Sequence, residues 1–285
     1  MNAPHPRIPH PDQLFQSMGL REDPFKITPD LDYFFPRTQH QELISQLEFA
    51  LLGGSLAVLS GEVGLGKTLI CRKLLEDFAG DPNVKTAYLF NPPQHFGYLL
   101  ADVIQDLSGV RTRRQSPNYH HLVDLLYRVL LVEAEQGRQV VLIVDEAHRL
   151  SAHLLEGIRL LTNLETGKRK LLSILLVGQP ELEETLRSRE LRQLDQRIAV
   201  RCRLAPLDRD QTAEYVHHRV SRESGIPVIE FNTWAHWWLY HHSRGIPRRI
   251  NLLASRAMLA AFAHFDARVC AGHVRRAARE LRGHG

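Results

Sequence analysis

"GEVGLGKTLICRK", residues 61–73, is the stretch that decides the fold. Gly61, Gly66, Lys67 and Thr68 satisfy the pattern GxxxxGK[ST], between the apolar run "SLAVLS" and a helical pattern. This position, after a strand and before a helix, distinguishes a phosphate-binding loop from a chance match. Glycines let backbone N–H groups close around a phosphate, and the N-terminus of the following helix adds the positive end of its dipole. The stretch therefore predicts a site for a nucleoside triphosphate.

Individual contacts to the triphosphate follow from the chemistry of this loop. Lys67 is expected to bridge the β- and γ-phosphates, and the hydroxyl of Thr68 is expected to ligate Mg²⁺. The other expected nucleotide contacts lie along the loop and at the start of the helix: Glu62, Val63, Gly64, Leu65, Gly66 and Leu69. ATP and Mg²⁺ are the cofactors that this arrangement implies.

Two acids end the continuous apolar run "VVLIV". Asp145 and Glu146 are therefore expected at the carboxyl edge of a parallel sheet, where the phosphates of such folds lie. Asp145 suits a direct or water-mediated contact to Mg²⁺, and Glu146 suits polarising a water for attack on the γ-phosphate. A plain helix N-cap pair is the simpler interpretation. A small-molecule kinase has no use for such a water activator, so Glu146 argues against that class.

A third polar strand end is predicted in "LLVGQPEL". Gln179 follows the last apolar residue of this strand and can hydrogen-bond the γ-phosphate or the attacking water. Turn formation before Pro180 is the alternative role.

Three arginines are candidates for sensing the nucleotide. Arg192 and Arg197 precede the fifth predicted strand, where an arginine lies away from its own pocket and can serve the nucleotide of a neighbouring subunit; a solvated surface is the alternative. In "GIPRRIN", Gly245 and Pro247 are expected to fix the start of a helix. Arg248 would then point toward the core as a sensor of the γ-phosphate.

Helix and strand patterns alternate over residues 39–205 and then change. Apolar strand segments separated by helical patterns predict an α/β fold whose parallel sheet is covered on both faces by helices. After Pro206 four helical segments follow without a strong strand pattern. We expect a flexible N-terminal arm and leading segment at 1–38, a P-loop core at 39–205, and a small all-helical domain at 206–285.

The composition bears on the cellular location and on the class of partner. The sequence shows neither an apolar run long enough to cross a bilayer nor a signal-peptide pattern, so we expect a cytoplasmic protein without direct membrane insertion. The net charge is +4, but nine arginines and only two acidic residues follow from Arg244 onward. This basic segment either solvates a helix or contacts an anionic partner such as DNA.

Together these motifs resemble the AAA+ ATPases: the loop, the Asp-Glu strand end, the polar strand tip, the arginine before the fifth strand and a helical lid with GxxR. "GEVGLGKTLICRKLL", "RLLTNLET", "LLVGQPEL" and "MGLREDPFKITPD" resemble the ExeA/GspA secretion ATPases, and among them the MshM proteins of the MSHA-pilus system. The resemblance covers nearly the whole chain. It implies an ATPase working as a homo-oligomeric ring, with Glu146, Gln179, Arg197 and Arg248 in catalysis.

The resemblance also implies partners. The expected partners are inner-membrane components of a secretion or pilus system. ExeA-type proteins continue into a membrane span and a peptidoglycan-binding part, which we do not find here, so we expect any membrane association to run through partners. The core also resembles the TnsC/TniB transposition ATPases, which bind DNA. A DNA-dependent regulator is therefore the alternative function.

Overall fold

The computed structural model describes residues 15–16, 20, 22–109, 119–167, 169–221 and 229–282. The chain forms two compact units, one of Pro36–Ala205 and one that joins Met1–Phe35 to Pro206–Gly285. Residues 1–14 of the predicted N-terminal arm lie outside the described residues.

A parallel five-stranded sheet forms the centre of the described part of the larger unit, in the order β2-β3-β4-β1-β5. Its strands are β1 (Leu56–Ser60), β2 (Val84–Leu89), β3 (Gln139–Val144), β4 (Leu172–Gly178) and β5 (Ile198–Arg203). The helices of this unit are α1 (Thr38–Leu52), α2 (Lys67–Ala79), α3 (Phe96–Ser108), α4 (Tyr119–Glu135), α5 (Ala152–Leu161), α6 (Pro180–Leu186) and α7 (Arg192–Asp195). The described part of this unit also contains two 3₁₀ turns, Ala147–Arg149 and Arg189–Leu191.

Burial along the strands shows that helices cover both faces of the sheet. Every residue of β1 and β4 is buried, and β3 is buried from its second residue onward. Because successive strand residues face opposite sides, such continuous burial requires cover on both sides. At the edge of the sheet, β5 alternates between exposed and less exposed residues.

Strand order places the functional motifs side by side. β1 lies between β4 and β5, and β3 lies between β2 and β4. In register, the last residue of β1, Ser60, pairs with Gly178 at the end of β4. The loop that follows β1 therefore starts beside the end of β4, at the carboxyl edge where β3 also ends.

The smaller unit is a helical cluster. Its described helices are α8 (Arg209–Ser221), α9 (Thr233–Ser243), α10 (Pro247–Ala263) and α11 (Ala271–Arg282), with a 3₁₀ turn at Leu31–Tyr33. Two short strands, β6 (Glu230–Phe231) and β7 (Arg268–Val269), pair in parallel and were not predicted from the sequence.

The described part of the leading segment belongs to the core of this smaller unit. Phe15, Leu20 and Phe25 are buried among apolar residues of the helices. The guanidinium of Arg219 donates a hydrogen bond to the carbonyl of Pro24 over 3.0 Å, and Ser255 donates to Asp23 over 2.7 Å. Burial and polar contacts thus fix the segment to α8 and α10.

Gly245 marks a close approach of two backbones in the smaller unit. Its φ is +72°, and a Cβ built there would lie 1.8 Å from the carbonyl oxygen of Leu207. The N–H of Leu207 in turn donates to the carbonyl of Gly245 over 2.9 Å. A side chain at this position would therefore have to displace backbone.

We expect Gly245→Ala to destabilise the smaller unit by roughly 3 kcal/mol or more, because a positive φ and a backbone clash act together. Gly137→Ala is the matched control, since Gly137 has φ +80° and no atom within 4 Å of its Cβ position. That control should lose only about 1 kcal/mol, the cost of the left-handed conformation alone. Urea unfolding of both variants against the wild type measures the difference. Equal losses would contradict the proposed role of the Leu207 contact.

Candidate functional site

The loop after β1 has the backbone conformation of an anion site. Gly64 has φ +85° and Gly66 has φ +101°. A Cβ at Gly66 would meet nothing within 4 Å, so glycine is needed there for its conformation and not for space. Gly66 caps α2 without a side-chain hydrogen bond. The N–H groups of the first helical turn are thus left without a side-chain cap and suit an anion.

Lys67 is a buried cation inside this loop. Its side-chain Nζ donates to the carbonyls of Gly61 over 2.7 Å and Glu62 over 3.1 Å. Burial lowers the pKa of Lys67 below its ordinary value, while the nearby carboxylates of Glu146 and Asp145 oppose that shift. The loop therefore holds a positive charge between its own carbonyls and two acids.

Asp145 gathers three hydrogen-bond donors although its side chain is fully buried. The hydroxyl of Thr68 donates to Oδ2 over 2.9 Å, and the phenol of Tyr88 donates to the same oxygen over 3.1 Å. The backbone N–H of Glu146 donates to Oδ1 over 2.8 Å. The structure thus brings together the hydroxyl and the carboxylate that the sequence assigns to Mg²⁺.

Tyr88 is a site residue that sequence reasoning missed. It is the penultimate residue of β2 and pairs in register with Ile143, two residues before Asp145. Burial, followed by the charge of Asp145, raises the pKa of Tyr88, so the phenol keeps its proton and acts as a donor. A tyrosine in an apolar strand was the available signal, because a buried phenol needs a partner.

Glu146 has an unusual backbone conformation. Its φ of +56° lies in the left-handed region, which costs a non-glycine residue roughly 1 kcal/mol or more. The residue precedes the 3₁₀ turn Ala147–Arg149, and its side chain is about one-third exposed. The turn thus directs Glu146 away from the strand while Asp145 stays buried at its end.

The side chain of His148 lies between Gln179 and Glu146 and is close to both. The amide nitrogen of Gln179 is 2.9 Å from Nε2 of His148, and the same ring nitrogen is 3.6 Å from the carboxylate of Glu146. Gln179 also precedes α6, which begins at Pro180. The structure thus connects two predicted catalytic residues and adds a histidine to which the sequence reasoning gave no role.

The two candidate arginines before β5 are both exposed. The guanidinium of Arg197 donates to the hydroxyl of Thr162 over 2.6 Å and to the side-chain carbonyl of Asn163. Arg192 is the first residue of α7. Arg197 is thus held at the surface by two polar side chains that follow α5.

Known proteins resemble this chain in sequence and in fold. Residues 51–186 match the family described as "AAA domain". Cdc6p from Pyrobaculum aerophilum has a similar structure, with a TM-score of 0.71 at 18% identity over 90% of this chain and 70% of that chain. The ORC2 protein of Aeropyrum pernix, in ADPNP–ADP complexes, gives a TM-score of 0.61 at 19% identity over 86% of this chain and 67% of that chain.

The larger unit has the AAA+ P-loop fold. The fold class predicted from the sequence is thereby confirmed.

One curated protein is similar along most of the chain. General secretion pathway protein A from Aeromonas hydrophila is 38% identical over 269 residues, which are 94% of this chain and 48% of that protein. The chain therefore spans about half the length of this relative.

Arg248 belongs to the smaller unit, whereas the site residues described above belong to the larger unit. It is exposed in the first turn of α10, where Pro247 occupies the first helical position as predicted. Its role as a sensor stays a prediction.

The residues of the AAA+ core fit a magnesium nucleotide. Mg²⁺ takes hard oxygen ligands and is usually held by one or two side chains together with substrate phosphates. The Thr68 hydroxyl and the Asp145 carboxylate are such oxygens and lie 2.9 Å apart. The neighbouring glycine loop and Lys67 have the donor chemistry for the phosphates.

The helices bear on membrane association through their length and their apolar character. Within the described ranges, none of them combines the length and the apolar character needed to cross a bilayer.

Proposed function

We propose that the chain binds ATP with Mg²⁺ and hydrolyses it to ADP and phosphate. The observation that carries the proposal is the buried Asp145 carboxylate, which accepts a hydrogen bond from Thr68 beside the loop that contains Lys67. A hydroxyl, a carboxylate and a lysine in this order around a glycine loop match the parts that P-loop NTPases use for Mg²⁺ and phosphates.

Each binding residue has a separate task in this proposal. Bound Mg²⁺ would neutralise the charge that develops on the phosphate oxygens. Thr68 and Asp145 would hold the metal, and Tyr88 would fix the orientation of the Asp145 carboxylate. Lys67 contacts the β- and γ-phosphates. The remaining contacts come from the loop and the first turn of α2: Glu62, Val63, Gly64, Leu65, Gly66 and Leu69.

Hydrolysis requires groups that handle water. The carboxylate of Glu146 is partly exposed, so it can orient the attacking water and accept its proton. The amide of Gln179 can donate to the γ-phosphate or to the same water. A residue that activates water makes water the acceptor of the phosphoryl group. This arrangement favours an ATPase over a kinase, in which a second substrate is the acceptor.

The separation of binding from hydrolysis is testable by substitution. Lys67→Ala should weaken ATP binding roughly 10- to 100-fold, because a charge-assisted contact is lost. Glu146→Gln should keep ATP affinity but slow turnover roughly 10²- to 10⁴-fold, because the base is lost. Isothermal titration and phosphate release measure the two effects.

Lys73→Ala is the matched control, since Lys73 lies on the same helix and pairs only with Glu76 and Asp77 among described residues. It should behave as wild type. An equal loss of ATP binding in Lys67→Ala and Glu146→Gln would contradict the division of roles.

The working form that we propose is a homo-oligomeric ring in which Arg197 serves the nucleotide of the next subunit. Its guanidinium is exposed and anchored by Thr162 and Asn163, so it is presented at the surface in a fixed position. Such an arginine stabilises the charge of the transition state. Arg192 is the alternative.

Subunit mixing tests this role. Arg197→Ala should bind ATP nearly normally but hydrolyse it roughly 10³- to 10⁵-fold more slowly. Mixed with Lys67→Ala subunits, it should regain activity with a maximum at intermediate ratios, because some interfaces then combine an intact pocket with an intact arginine. If co-assembled mixtures stay inactive, Arg197 is not the residue that acts in trans, and Arg192→Ala is put through the same test.

The biological role that we propose is support for the assembly of a bacterial secretion or type IV pilus apparatus, of the MSHA kind. Similarity to General secretion pathway protein A over most of the chain supports the link to secretion. The proposed partners are inner-membrane components of that apparatus. The chain would act on the cytoplasmic side and reach the membrane through those partners.

A DNA-dependent regulator of the transposition type is the second candidate, favoured by one surface. Helix α11 exposes Arg275, Arg276 and Arg279 on one side and buries Val274 and Ala277 on the other. Two of the three arginines have local contacts, since Arg276 pairs with Glu280 and Arg275 lies over the ring of Trp238. These contacts reduce the positive potential that the arginines present to a DNA backbone, so we rank this candidate second.

Duplex DNA distinguishes the two candidates. On the secretion proposal, DNA should neither bind tightly nor raise ATP turnover, even at low salt, and the triple variant R275A/R276A/R279A should match wild type. Steep salt-dependent binding that this variant abolishes would favour the transposition-type function. The charge-matched control is R187A/R189A/R209A, which removes three exposed arginines elsewhere.

A further inference from the structure

We propose that His148 is a positioning residue that couples Glu146 to Gln179, the two groups that handle the attacking water. The inference rests on the proposed ATP hydrolysis and goes beyond it by assigning a third side chain to the water-handling part of the site. His148 contacts both residues through one ring nitrogen, Nε2, and its side chain is only 15% exposed.

The backbone explains why His148 lies between these two residues. The left-handed conformation of Glu146 starts the 3₁₀ turn Ala147–Arg149, which turns the chain from the end of β3 toward the end of β4. There, a Cβ on Gly178 would lie 3.1 Å from the backbone nitrogen of His148. A side chain there would make a tight contact, so glycine at 178 leaves room for the close approach of β4 to the turn.

The same strand end is tied to the phosphate-binding loop. The N–H of Gly61 donates to the carbonyl of Gly178 over 3.2 Å. A shift of Gln179 is therefore constrained on one side by the start of the loop and on the other by the imidazole of His148.

The hydrogen bonds of the ring assign its proton. The backbone N–H of Gln179 donates to Nδ1 of His148 over 3.4 Å. An accepting Nδ1 places the proton of the neutral ring on Nε2. That N–H then faces the side-chain amide of Gln179 at 2.9 Å and the Glu146 carboxylate at 3.6 Å.

This tautomer also orients the amide of Gln179. An Nε2–H needs an acceptor, so the side-chain amide oxygen of Gln179 must face the ring. This orientation is reached by rotating the amide by 180°, which exchanges its oxygen and nitrogen positions. The NH₂ group then points away from His148 and can donate to a phosphate or water oxygen. One histidine proton thereby sets the donor direction of Gln179 and attracts the carboxylate of Glu146.

A positioning role predicts a selective kinetic defect. His148 touches neither residue of the magnesium pair, Thr68 or Asp145, through any described hydrogen bond. Loss of the imidazole should therefore lower kcat roughly 10- to 100-fold, as when a group that orients a functional side chain is removed. The dissociation constant for ATP should change less than about threefold, because the residues that hold phosphate and Mg²⁺ are intact.

The experiment compares His148→Ala, His148→Leu and His148→Gln in the full chain with ATP and Mg²⁺. Alanine and leucine remove the hydrogen bonds, and leucine keeps the site filled in case alanine prevents folding. Glutamine restores a side chain that both donates and accepts, so it should recover most of the rate. His153→Ala is the matched control, because His153 is an exposed histidine on α5, and it should behave as wild type.

A double-mutant cycle separates coupling from general damage. If His148 acts through Gln179, then His148→Leu should add little to the kinetic defect of Gln179→Ala. Full additivity, an unchanged kcat in His148→Leu, or a parallel loss of ATP affinity would overturn the inference. A wild-type chain that binds ATP but does not hydrolyse it would instead overturn the proposed function, and this inference with it.

Discussion

The buried carboxylate of Asp145 is the constraint on which the site depends. A fully buried carboxylate is costly unless its oxygens are hydrogen-bonded, and here the donors come from three different elements. Thr68 belongs to α2, Tyr88 to β2 and the N–H of Glu146 to the turn after β3. Satisfying this one acid therefore fixes the positions of helix α2, strand β2 and Glu146 together.

Much of this arrangement could be predicted from the sequence, because its signals are local. Each of three short patterns predicts its own local conformation: the glycine pattern, the apolar run before Asp145 and the apolar run before Gln179. Parallel strands bring such ends to one edge of a sheet whatever their order. Proximity of the loop, the acids and Gln179 was therefore predictable before any contact was known.

Tyr88 and His148 could not be predicted in the same way, because their roles depend on strand order and register. Tyr88 reaches Asp145 only because β2 pairs with β3, with Tyr88 opposite Ile143. His148 reaches Gln179 only because β4 follows β3 in the sheet and ends in a glycine that permits close packing. The leading segment is a similar case, since Phe15 and Phe25 are apolar in the sequence but their burial with α8 and α10 is a long-range property.

The charge and the hydrogen bonds of Lys67 determine how the loop would respond to a bound phosphate. Lys67 is buried, and its ammonium is satisfied by the carbonyls of Gly61 and Glu62. Burial lowers the pKa of Lys67, and the negative charge of Glu146 and Asp145 opposes that shift. A phosphate would supply more of that charge and compete with the loop carbonyls for the same donors. The N–H of Gly61 also donates to the carbonyl of Gly178, so hydrogen bonds link the lysine to the strand end that precedes Gln179. In the proposed mechanism, this short path of hydrogen bonds connects the lysine that would contact phosphate to the residues that would handle water.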